Sequence, residues 1–126
     1  MENKKNNRRI GADKERVARW FLREKGYEII EENYRCSRGE VDVIAQKDGY
    51  IVFVEVKYRA STAKGYPGAA VNAMKQQKIS KAAKQYLYSK CAQDMPCRFD
   101  VVEILGNQIR IIENAFDYVG GNRYGS

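Results

Sequence analysis

Asp42, Glu55 and Lys57 are the residues of this 126-residue chain whose types and spacing can do chemistry. They lie in "GEVDVIAQKDGYIVFVEVKYR" (39–59), which reads as two β-strands joined by a tight Asp-Gly turn. Side chains alternate across a strand, so Ile51, Phe53, Glu55, Lys57 and Arg59 share one face, apolar at its start and ionic at its end. A turn centred between 48 and 49 sets residue 42 opposite residue 55. Two carboxylates held a few ångströms apart repel and raise a pKa unless a cation sits between them. Lys57 offsets one charge, and a divalent ion offsets more. Hard oxygen ligands with no imidazole or thiolate beside them select Mg²⁺ or Mn²⁺ over zinc. An Asp, a Glu and a neighbouring Lys thus suit metal-assisted phosphodiester hydrolysis. The plainer alternative is a solvated ion pair at a strand end.

The elements that must position these groups follow from periodicity and punctuation. The spacing predicts a helix over 11–25, with Val17, Trp20 and Phe21 on its core side and Gly26 as its stop. Strands are expected at 27–35 (somewhat irregular), 40–46 and 50–59, the last two paired antiparallel through Asp48-Gly49. After the Gly- and Pro-punctuated loop 60–68, Val71, Lys75, Ile79, Ala82, Ala83, Tyr86 and Leu87 keep helical spacing over about 69–90. Two more strands, 97–105 and 107–112, meet at Gly106-Asn107. The order α-β-β-β-α-β-β predicts an α/β fold, a central mixed sheet of about five strands flanked by helices. A single domain over 10–118 is expected, between a flexible basic arm at 1–9 and a disordered tail at 119–126.

Composition narrows the function. Lys plus Arg is 23 against 16 for Asp plus Glu, a net +7 that suits a polyanionic partner such as nucleic acid. The absence of histidine excludes Ser-His-Asp and Cys-His catalysis and any histidine base. Cys36, Cys91 and Cys97 are odd in number and lack C-x-x-C spacing, which argues against a disulfide framework and for a reducing cytoplasm. No apolar run approaches the roughly 18 residues of a membrane span, and "MENKKNNRR" is no secretory signal.

"GEVDVIA" followed after a short interval by "VFVEVK" resembles the D-x(n)-E-x-K signature of the PD-(D/E)xK superfamily of restriction endonucleases and Holliday-junction resolvases. More closely, "DKERVARWFLREKGYEII", "NYRCSRGEVDVIA", "VFVEVKYR", "CRFDVV" and "ENAF" resemble the YraN-type family of uncharacterised bacterial proteins, over about 9–118. Val41 stands where the superfamily motif has proline. The resemblance implies a restriction-endonuclease-like fold, Asp42 and Glu55 as ligands of Mg²⁺ or Mn²⁺, Lys57 as the catalytic cation, and a first-helix acid matched by Glu15. Glu40 is the other candidate for that third acid, and Gln76 or Gln77 for a glutamine that completes some related sites.

Arg35, Arg38, Arg59 and Lys64 flank the acids, and Lys75 and Lys78 open a basic run along the second helix; all six are candidate phosphate contacts. The expected function is a metal-dependent endonuclease acting on DNA, on analogy with the resolvases branched or structured DNA, with a homodimer compatible. The alternative is a non-catalytic nucleic-acid or protein-binding module on the same fold.

Overall fold

The computed structural model describes residues 4–59 and 71–119. Two helices and five strands follow in the order α1 (Lys4–Glu24), β1 (Glu28–Cys36), β2 (Gly39–Lys47), β3 (Tyr50–Arg59), α2 (Ala73–Ser89), β4 (Cys97–Leu105) and β5 (Gln108–Phe116). The strands form one sheet in sequence order, antiparallel throughout except for the parallel pair β3·β4. The expected mixed α/β sheet in a single domain is what the chain forms. Lys64 lies outside the described residues, as do 1–3 and the tail from 120.

Helix α1 starts seven residues before the expected Gly11, since "KKNNRRI" holds no proline to prevent it. It ends where Gly26 takes φ 91°, with the Tyr27 amide donating to Leu22 O and the Gly26 amide to Arg23 O. This pair of bonds caps the last turn. Helix α2 stops the same way without a glycine. Cys91 takes φ 52°, and the Ala92 amide reaches back to Leu87 O.

The sheet is packed on both faces. On one, Ile79, Ala82, Ala83, Tyr86 and Leu87 of α2 meet Val41, Ile44, Ile51, Phe53, Phe99 and Val101. On the other, Ala18 and Leu22 of α1 meet Val43, Ala45, Val52, Val54, Val102 and Ile104. The α2 face is the one read from periodicity; the α1 face is not. Val17 is 42% exposed and Trp20 57% exposed. The helix rests on small Ala18 and on Leu22, a stripe that allows close approach to the sheet, and the bulkier aromatic stripe is turned aside.

Asp100 is fully buried, and its carboxylate accepts from Tyr27 Oη at 2.7 Å, from Arg98 Nε and from the Asn114 amide. With its lone pairs so occupied, its burial is compensated. No described helix is long and apolar enough to cross a membrane.

Candidate metal centre

The Asp48-Gly49 turn takes positive φ at both central residues, 51° and 84°, the geometry that keeps a two-residue hairpin in line with the strand twist. It sets Val43 opposite Val54 and so carries the expected 42/55 register up to the last paired position. Beyond it the ladder stops. Val41 and Ile44 both pack on the α2 face while Val43 packs on the α1 face, so strict alternation in β2 breaks at Asp42. The Asp42 carboxylate enters the gap, where Oδ2 accepts the Val56 amide at 2.8 Å.

Glu55 follows Ile51 and Phe53 onto the α2 face of β3. Its side chain is only 12% exposed, and Oε1 is buried with no hydrogen-bond partner among the described residues. Burial first, then the charge and hydrogen-bonding proximity of Asp42, push the Glu55 carboxyl up to about 8. Two ionised carboxylates at this range repel, and a proton or a cation between them removes the conflict.

Two further acids lie within electrostatic reach of this pair. Glu15 projects from α1 on the side of Ala18; burial and Asp42 raise its pKa, opposed by Arg19, by a hydrogen bond from Asn33 and by Arg35. Asn33 lies in β1 with φ 52°, a left-handed conformation that Asn tolerates better than most side chains. Its place in the site was not read from the sequence; the only signal was an Asn inside an otherwise strand-like run. Glu40 pairs with Arg35 Nε at 3.7 Å and with Lys75 Nζ at 3.3 Å.

Lys57 lines a cleft of about 230 Å³ together with Glu55, Val71, Asn72 and Lys75. Its pKa is lowered by burial and by Arg59, against the pull of Glu103 and Glu55. Glu103 is its register partner on β4 and is almost wholly buried, with Oε1 accepting from Arg110 Nε at 2.7 Å. Glu103 too escaped sequence reasoning, because only the parallel β3·β4 register brings it beside Lys57.

Of the expected phosphate contacts, Arg35, Arg38 and Lys78 line one cleft of about 300 Å³ with Cys36, Ser37, Gly39 and Glu40. Arg59 ends β3. Lys75 is drawn inward, 3.7 Å from Glu55 Oε2 as well as 3.3 Å from Glu40. Burial, the largest influence on it, lowers its pKa, but Glu55, Asp42 and Glu40 together outweigh that and raise it. Gln76 spends its Nε2 on Val71 O at 2.7 Å, and Gln77 is exposed, so neither is drawn into the acid cluster.

As a metal site the arrangement fits a hard divalent ion. The donors are carboxylate oxygens, one of them buried with no hydrogen-bond partner among the described residues. Among the described residues no three acidic or sulfur side chains form a ready-made cage, so Asp42 and Glu55 are the protein ligands on offer. That suits Mg²⁺ or Mn²⁺, which keep several positions for water and phosphate oxygens.

The model of the uncharacterised protein family UPF0102 matches residues 14–104. The chain belongs to the UPF0102 family. A UPF0102 protein of Lachnoclostridium phytofermentans is 49% identical over 111 residues, 87% of this chain and 94% of its own length. Another, of Nitrosomonas eutropha, is 44% identical over 108 residues, 85% of this chain and 92% of its own. A third, of Geotalea uraniireducens, is 44% identical over 121 residues, covering 92% and 95%. The UPF0102 match spans Glu15, Asn33, Glu40, Asp42, Glu55, Lys57, Lys75 and Glu103, so the whole acid-and-amine cluster falls inside it.

Proposed function

We propose that this UPF0102 protein is a Mg²⁺- or Mn²⁺-dependent endonuclease of the restriction-endonuclease-like type, hydrolysing phosphodiester bonds in DNA, with branched or structured DNA as the substrate class. The observation that carries the reading is the meeting of Asp42 and Glu55 where β2 and β3 part, with Lys57 two residues on from Glu55 and lining the same cleft as Glu55.

The chain's own groups have distinct tasks. The Val56 amide fixes Asp42 Oδ2 and so orients the carboxylate. Glu55 offers a buried oxygen, Oε1, with no hydrogen-bond partner among the described residues, a place a cation would fill. A divalent ion held there would polarise the scissile phosphate and acidify a bound water. Lys57, its pKa lowered by burial and Arg59, orients the attacking water and steadies charge on the phosphate oxygens as the ammonium, or accepts the water's proton as the neutral amine. Arg35, Arg38 and Lys78 give the strand a basic track beside the acids.

The test offers linear, nicked, flapped and four-way DNA to purified protein with Mn²⁺, alongside Glu55→Ala and Lys57→Ala. Cleavage of one of these forms by wild type, reduced at least about 100-fold in both variants, supports the nuclease. Salt-sensitive binding without cleavage of any form would instead identify a nucleic-acid-binding module.

A further inference from the structure

Lys75 is the unexpected member of the site. The sequence sets it in the helical spacing of Val71 and Ile79 and makes it a candidate phosphate contact, yet its ammonium stands 3.3 Å from Glu40 Oε1 and 3.7 Å from Glu55 Oε2, with its side chain 31% exposed. Two backbone features hold it there. Asn72 caps α2 by accepting the Lys75 amide at 2.8 Å, which fixes Lys75 in the first turn. Three residues on, Lys78 O lies so near Gly39 that a Cβ on the glycine would sit 1.9 Å from it, so α2 is seated directly on the β1–β2 turn. The helix start cannot drift away from the acids without breaking that seat.

We propose that Lys75 is a resident counter-ion for Glu55, standing in the place of the divalent ion and exchanging with it. This rests on the nuclease reading above only in supposing that Asp42 and Glu55 bind such an ion. An ammonium at Oε2 and a divalent cation at Oε1 repel one another across a single carboxyl group, so loading the ion displaces the ammonium. When Glu55 is claimed by the ion, the flexible four-carbon stem lets the ammonium swing into the cleft shared with Lys57. There it meets the substrate phosphate. Lys75 thereby couples ion loading to phosphate binding: tied to acids before the ion arrives, available to an anion afterwards.

Calorimetric titration with Mn²⁺, at matched pH and salt, of wild type, Lys75→Gln, Lys75→Met and Lys75→Arg tests this. Removing the competing charge is expected to tighten Mn²⁺ binding about tenfold in the Gln and Met variants, whereas Arg, which keeps the charge, gives no such gain. In parallel, Mn²⁺ is expected to strengthen wild-type binding to a non-cleavable DNA, and to do so far less in Lys75→Gln. The Met variant preserves the apolar stem and serves if Gln perturbs the fold. Ion binding by wild type that is unchanged or weaker in both neutral variants overturns the exchange while leaving the nuclease reading intact. Absence of ion binding in every variant overturns both; binding gained only in the neutral variants supports the exchange.

Discussion

Asp42 holds the amide of Val56 at 2.8 Å across the point where β2 and β3 stop pairing. One side chain thus replaces a missing ladder bond and positions a carboxylate. The two roles separate by substitution. Asp42→Asn keeps an acceptor for the amide and removes the charge, so the fold survives, the protein gains stability from the relief of Glu55, and Mn²⁺ affinity falls tenfold or more by calorimetry. Asp42→Ala also abandons the half-buried amide and is expected to cost about 1–3 kcal/mol in chemical denaturation.

Stability in a chelating buffer should depend on pH through Glu55. Its folded pKa of about 8 lies above its ordinary value of 4.5. The folded chain therefore keeps a proton that the unfolded chain has lost, and this contribution is full below 4.5 and gone above about 8. Unfolding free energy is expected to fall as pH rises through that window, at up to about 1.4 kcal/mol per pH unit. Glu55→Gln flattens the slope and is the more stable protein at pH 8. Urea titrations across the range measure both.

Gly39 admits no side chain, because Lys78 O would lie 1.9 Å from a new Cβ. The obstacle is helix backbone and cannot turn aside. Gly39→Ala should cost about 2–4 kcal/mol and, by lifting the start of α2, separate Lys75 from Glu40. Thermal melts and Mn²⁺ titration of the same variant would register the two effects.

Cys91 ends α2 in a left-handed conformation, φ 52°, normally taken by glycine. It is exposed and packs no core. Cys91→Gly is expected to stabilise the protein by about 1 kcal/mol, a rise of a few degrees in melting temperature.

Much of the candidate site is legible in the sequence because it is local. An Asp-Gly turn and a period of two put 42 level with 55, and both are short-range properties of one hairpin. Helix α1 is the instructive failure: Trp20 is the most hydrophobic-looking residue of its helix, yet contact distance to the sheet is set by Ala18. Asn33 and Glu103 join the site through a left-handed backbone and a parallel register, neither of which leaves a pattern in residue types. Lys75 reaches Glu55 from 20 positions away along the chain, by way of a helix whose own lysine run pointed to phosphate.

The parallel pairing of β3 with β4 also dictates an order of assembly. β1, β2 and β3 are joined by tight turns and can zip together early, whereas β4 can pair with β3 only after α2 has been made. During synthesis the repelling Asp42–Glu55 pair is therefore complete well before the lysine that calms it has left the ribosome. A nascent chain stalled after β3 should be sensitive to alkali and thirsty for divalent ions in a way that the finished protein is not.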